Sequence, residues 1–349
     1  MTHWDGCGCP ACGAGLVKEL FVVSGESAGM RPAIGTELVR RLVDAQFPQW
    51  AHLPLTPVEP AGSDHVIHRL GERLSVRLPR HAGAAGQAGK EFRWLPRLAP
   101  HLPLAVPVPV AVGAPGFGYP WPWAVSRWLE GEVATVEALA DPCATAVELA
   151  RFLTALQRFA PGGVPVQDSG SVQDAGPDPV QDVGDVSLVQ GVGPVQDVGG
   201  DLAGGSLAER DRATRCAIAR TGGVFDTAAM TGLWDAALDA PGWGRPAVWF
   251  HGDFHTGNLL TVDGRLSAVI DFGGLGVGDP ACDLIIAFTL LSADSRAAFR
   301  DALAVDDATW TRGRGWALAT ALNAYTHYAA VDPRVAAQTT RQIHEALIG

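Results

Sequence analysis

Lysine is almost missing from this chain: of 349 residues, only Lys18 and Lys90 carry an ammonium side chain. Charge of either sign is scarce, at 18% of residues, and the balance is acidic, with 26 Lys and Arg against 37 Asp and Glu. A formal charge of −11 leaves no basic footprint for a nucleic acid and no cationic face for a membrane surface. No stretch approaches the ~20 apolar residues of a spanning helix. The most apolar candidate, 102–112, is interrupted by Pro103, Pro107 and Pro109 and reads as an extended connector. The N-terminus shows no basic segment followed by an apolar one, so no secretory leader is expected. In that setting, six cysteines fit a reducing cytoplasm better than a disulfide scaffold.

What is present divides the chain. The length suggests two lobes with ample core, and 42 Gly with 25 Pro suggest that some stretch is not packed. Residues 161–205 fit that description. They repeat Val-Gln-Asp at 166–168, 172–174, 180–182 and 195–197, with seven Asp and no Lys, Arg or aromatic residue. Such a segment buries too little to offset its ordering entropy, so a disordered low-complexity insertion is expected, tolerated as a surface expansion. Residues 1–29 hold Cys7, Cys9 and Cys12 among glycines beside His3. The spacing matches no standard zinc site, and a flexible extension is expected, with Met30 as a candidate start because ordered pattern begins just after it.

From there the pattern is β-rich, then helical. A helix is expected over 34–47, strands over 55–60, 65–70 and 74–78, a helix over 88–98 and a strand over 124–128. Long helices follow over 135–159, 207–220, 226–239, 280–292 and, in pieces, 306–347. The expected fold class is α+β and bilobal, with a small β-rich lobe over 30–129, a large mainly helical lobe over 130–349, and a cleft at their junction.

The informative stretch runs from Val248 through His251-Gly252-Asp253-Phe254-His255-Thr256-Gly257-Asn258. A strand enters a polar loop and leaves as a second strand, 259–262; Asp263-Gly264 signals a two-residue hairpin. The return strand, 266–270, delivers Asp271-Phe272-Gly273. Asp253, Asn258 and Asp271 therefore converge at one end of a hairpin. Phosphoryl transfer from a nucleotide needs such a set: a carboxylate to orient a hydroxyl or accept its proton, and oxygen ligands for Mg2+ on the phosphates.

These motifs resemble the aminoglycoside phosphotransferases and their small-molecule kinase relatives, which share the protein-kinase-like fold. His251-Gly252-Asp253 with Asn258 is similar to the family's catalytic loop, Ile270-Asp271-Phe272-Gly273 to its metal segment, and Asp279-Pro280-Ala281-Cys282-Asp283-Leu284 to its Asp-Pro-x-x-Asp-Leu turn. The resemblance covers roughly 34–348 without the insertion. It implies Asp253 as the catalytic carboxylate, Asn258 and Asp271 as Mg2+ ligands, and His251 and Asp283 as supports of the loop. It implies nucleotide contacts at Gly62, Ser63 and Asp64 in the turn between the first strands, at Arg77 paired with Glu91, and at the hinge, Trp128 and Leu129. ATP or GTP is the implied donor. The implied acceptor is a small-molecule hydroxyl, with aminoglycoside-type antibiotics the family's best-known case and amino alcohols or sugars equally compatible.

Two departures stand out. Arg77 replaces the family's usual lysine, keeping the charge but changing reach and geometry, and the turn carries His65 where many relatives have a polar amide. Gly252 stands where many protein kinases have Arg, which favours a small-molecule acceptor over a protein. Other readings stay open at this point. His251, Asp253 and His255 alternate as metal ligands on one strand face would, as in a metallohydrolase. Arg77 and Glu91 also suit a surface ion pair, and Asp283 an ordinary N-terminal helix carboxylate. The Lys-to-Arg change also suits a catalytically silent nucleotide-binding protein.

Overall fold

Apolar residues three and four apart make one face of the first helix. In α1 (Thr36–Gln46) these are Val39, Leu42 and Val43, all buried. The computed structural model describes residues 34–59, 64–159 and 205–349. The cysteine cluster of 1–29, Gly62 and Ser63 of the nucleotide turn, and the insertion up to residue 204 lie outside the described residues.

Five antiparallel strands follow α1: β1 (Leu55–Pro57), β2 (His65–Leu70), β3 (Leu74–Pro79), β4 (Pro109–Gly113) and β5 (Trp123–Arg127). Their order in the sheet is β1-β2-β3-β5-β4. Strand alternation sorts the side chains. Leu70, Leu74, Val76, Leu78, Trp123 and Val125 join α1 in a core. Register pairs Ile67 with Arg77, Arg77 with Ala124 and Ser75 with Ser126, so these residues share the opposite face. The expected connector 102–112 ends in β4, which starts at Pro109, a correction with a physical reason: β4 is an edge strand, where proline costs no ladder hydrogen bond.

Between β3 and β4 lies α2 (Gln87–Leu98). Its Trp94, Leu95 and Leu98 belong to the second, larger core, and Trp94 meets Trp249 edge-on at 4.7 Å between ring centres. That core is built by α3 (Pro142–Arg158), α4 (Asp211–Arg220), α5 (Thr227–Asp239), α6 (Ile286–Thr289), α7 (Ala293–Leu303), α8 (Asp307–Tyr328) and α9 (Pro333–Ile348). Asp141, Asp226, Asp306 and Asp332 cap α3, α5, α8 and α9 through their side chains. The expected helix 135–159 starts only at Pro142, and 280–292 is mostly 3-10 turns over Pro280–Ile285 with the short α6 behind them. No helix of the described residues is long and apolar enough to cross a membrane.

The remaining strands carry the polar loops. A short strand, β6 (Glu132–Val133), joins the hairpin of β8 (Leu259–Val262) and β9 (Arg265–Val269), and β7 (Val248–Phe250) pairs with β10 (Gly276–Gly278). Asp263 and Gly264 both adopt positive φ, 51° and 72°, as the expected two-residue turn requires.

Candidate functional site

Phe250 ends β7, and the chain leaves the sheet at once. Gly252 has φ 85°, and a Cβ there would stand 2.1 Å from Gly274 O. The strand alternation read over His251, Asp253 and His255 is therefore absent. Gly252→Ala is expected to destabilise the protein by about 1–3 kcal/mol and to displace Asp253, checked by thermal unfolding alongside turnover.

The loop is held from three sides. Asp283 lies fully buried in the Pro280–Ile285 turns, and its two carboxylate oxygens accept the N–H groups of His251 and Gly252, both at 2.8 Å. Phe254 is buried and stacks parallel to Phe152 of α3 at 5.7 Å. His251 is also buried: its Nδ1 accepts the Asp253 N–H (3.3 Å) while its Nε2–H donates to Ile270 O (3.1 Å). Both ring nitrogens are spent, so His251 has no lone pair for a metal. Among the described residues no group of three His, Cys, Asp or Glu is placed to hold a metal ion. The metallohydrolase arrangement is not formed.

What projects from the loop is Asp253, whose side chain is 55% exposed. Asn258 Nδ2 donates to its carbonyl (2.9 Å) and to its Oδ2 (3.0 Å), and His255 Nε2 lies 3.4 Å from the same Oδ2. His255 Nδ1 accepts the Gly257 N–H, which leaves the proton on Nε2, facing Asp253. Partial desolvation by the surrounding loop works to raise the Asp253 pKa; the His255 bond and charge, His251 and Asn258 outweigh it and hold the carboxyl below its ordinary value. Burial opposes a charge on His255, and Asp253 more than offsets this, raising it. Because Asn258 commits its nitrogen to Asp253, its Oδ1 is the atom left for a cation.

Ile270 N–H donates to Asn258 O at 2.9 Å, which sets the next residue, Asp271, beside Asn258. Asp271 is left-handed, φ 61° and ψ 71°, an uncommon state for a residue with a side chain. Its Oδ1 accepts Arg77 Nη2 at 3.0 Å. Arg77 Nη1 meets both oxygens of Glu91, at 3.1 and 3.0 Å. Arg77 and Glu91 are 8% and 2% exposed, so this is a buried bridge and not a surface ion pair. Burial pushes Glu91 upward against the pull of Arg77.

Asp64 receives Gln87 Nε2 at 3.2 Å and lies 3.3 Å from His81 Nε2. Trp128 N–H is taken by Arg73 O (2.8 Å), so this donor is already engaged within the chain. Two contacts were not read from sequence. Arg312 grips Asp279 at 2.7 and 3.1 Å, and Lys90 Nζ donates to Gly273 O (2.6 Å) and Leu275 O (3.1 Å). An acid opening a turn motif hints at the first; only the placement of Lys90 beside Glu91 hints at the second.

Three buried groups make stability depend on pH. Burial lowers His251 to about 4. Burial and Arg77 lower His65 to about 3, and burial raises Asp283 to about 7 against its two N–H donors. Between the ordinary histidine value and pH 4, the unfolded chain binds two protons that the native histidines exclude, so they stabilise less as pH falls. Asp283 acts oppositely, holding a proton that the unfolded chain releases. The share of His65 alone is a loss of about 1.4 kcal/mol per pH unit on acidification below about 6.5. Urea midpoints at pH 7 and 5 should fall less on acidification in His65→Asn than in wild type; an equal fall in both contradicts the assignment.

The phosphotransferase enzyme family model, APH, matches residues 55–316. A search of curated proteins finds no match. Among solved structures, the GDP and kanamycin complex of APH(2")-IIia superposes with TM-score 0.64 at 16% identity, covering 88% of this chain and 98% of that one. The streptomycin-ATP-APH(2")-IIa ternary complex gives 0.52 at 15%, covering 90% and 98%. Macrolide 2'-phosphotransferase MphH from Brachybacterium faecium, as apoenzyme, gives 0.53 at 21%, covering 89% and 96%. The mixed α+β, bilobal fold with its small antiparallel sheet and large helical lobe is thus the kinase-like fold of these phosphotransferases.

Proposed function

Because this chain belongs to the APH phosphotransferase enzyme family, we propose that it transfers the γ-phosphate of ATP or GTP to a hydroxyl of a small molecule. One observation carries the reading: Asp253, exposed and held by Asn258 and His255, stands at the hairpin end that also presents Asp271. The nucleotide would lie under the sheet of 30–129, against Arg77 and the hinge at Trp128 and Leu129. The acceptor would lie over 130–349, near Asp253.

Asp253 accepts a hydrogen bond from the acceptor hydroxyl, aligns its oxygen with the γ-phosphorus and takes the proton as the new O–P bond forms. The bond from phosphorus to the β–γ bridging oxygen breaks, and nucleoside diphosphate leaves. Asn258 Oδ1 and the Asp271 carboxylate are hard oxygen donors, the kind Mg2+ prefers. Held there, Mg2+ would supply positive charge against the charge that develops on the transferring phosphate. Arg77, oriented by Glu91, would steady the phosphates, and Asp283 and His251 fix the loop so that Asp253 needs no reorganisation.

The neighbours' names point to aminoglycosides and macrolides as the acceptors to try first, with amino alcohols and sugars beside them. A coupled assay for nucleoside diphosphate over that panel tests the reading; acceptor-dependent turnover supports it, and none with any acceptor overturns it. The contact of Arg77 with Asp271 favours a second reading, a silent nucleotide-binding protein. Thermal stabilisation by Mg-nucleotide without transfer would select it.

A further inference from the structure

Asp271 is left-handed, and contacts from three segments of the chain converge on it. The constraints are identifiable. Before it, His251 Nε2–H holds Ile270 O. On its side chain, Arg77 holds Oδ1, and Arg77 is itself gripped by Glu91 of α2. After it, the backbone turns through Phe272–Gly274, and Lys90 of α2 takes Gly273 O and Leu275 O at 2.6 and 3.1 Å.

We infer that Lys90 is a positioning residue for Asp271: from α2 it clamps the turn that follows, so that the carboxylate is preset for a metal-bound nucleotide. An ammonium suits this task, because its three N–H groups serve two carbonyls of one turn from a single point. The clamp has a firm base. Trp94, Leu95 and Leu98 seat α2 in the larger core, and Trp94 abuts Trp249 of β7, the strand that leads into the catalytic loop. Glu91 and Lys90 are adjacent on α2, so this one helix constrains Asp271 from both sides. Gln87, one turn earlier, packs so closely on Gly273 that a Cβ there would stand 2.5 Å from its Oε1.

This inference rests on the nucleotide reading above, and its test separates the two. Affinity for a non-hydrolysable ATP analogue is measured by calorimetry in Mg2+ and in EDTA, on the full chain and on Lys90→Met, Lys90→Arg and Asp271→Asn. Second-layer supports of metal ligands commonly change metal affinity by about 10–100-fold. Lys90→Met should therefore weaken binding in Mg2+ about tenfold or more, leave binding in EDTA within about twofold, and be largely rescued by Lys90→Arg. If Lys90→Met does not fold, Lys90→Gln makes the same comparison. Equal losses with and without Mg2+, or no loss in Mg2+ while Asp271→Asn loses it, overturns the role of Lys90 alone. A wild-type chain that binds no better in Mg2+ than in EDTA overturns both readings.

Discussion

Asp253→Asn is expected to lower kcat for phosphate transfer by about 10²–10⁴-fold, with nucleotide affinity within a few-fold of wild type. The substitution keeps the shape and an acceptor oxygen, so Asn258 and the loop lose little. It removes the negative charge and the ability to take a proton from the acceptor. The surroundings argue that this charge is what the site maintains: His255, His251 and Asn258 together hold the carboxyl below its ordinary pKa although partial desolvation opposes them. Asp253 is therefore present as carboxylate throughout the neutral range. Steady-state kinetics on wild type and variant, with nucleotide binding followed separately, check this. A kcat within threefold of wild type would remove Asp253 from the chemistry.

The second large effect is on stability. Arg77→Met should cost about 3–5 kcal/mol, the usual penalty for stranding one partner of a buried ion pair. Glu91, 2% exposed, would lose the guanidinium that meets both its oxygens and keep its desolvation. Its pKa, already raised by burial, would rise further. The native variant would then hold a proton that the unfolded chain releases above about 4.3, so the loss should grow as pH rises from 5 to 8. Arg77→Met combined with Glu91→Leu should recover much of the stability while leaving nucleotide binding impaired, since apolar replacement of a whole buried pair is often neutral. Denaturant titrations at both pH values decide the matter. A loss below about 1 kcal/mol, the scale of a surface pair, would mean that the bridge is no structural element.

Much of the site's plan is legible along the chain. Asp263-Gly264 demands a tight hairpin, and once the hairpin exists Asn258 and Asp271 must be neighbours, whatever else the fold does. The apolar spacing of 36–46 gives α1, and turn chemistry gives β2 and β3 nearly to the residue. What is illegible has a common cause: it depends on contacts between distant segments. The end of the proline-rich stretch, Pro109–Gly113, becomes a strand because β5 offers it an edge. The left-handed Asp271 follows from Arg77, 194 positions away, and from Lys90, which reaches across 183 positions to Gly273. His251 loses its ligand capacity only because Asp253 N–H and Ile270 O claim its two nitrogens. Local propensity carries no record of such pairings, and charge patterning records only that an acid and a base exist to be paired.

The account's central claim is that an acceptor oxygen is joined to the γ-phosphorus under the control of Asp253. Phosphorus-31 NMR of wild-type protein with Mg-ATP or Mg-GTP and the aminoglycoside, macrolide, amino-alcohol and sugar panel observes that bond directly. A new phosphate-ester resonance that appears with wild type and is lost in Asp253→Asn is the predicted result. Conversion to free phosphate with no ester for any acceptor, or an ester formed equally fast by Asp253→Asn, would contradict it.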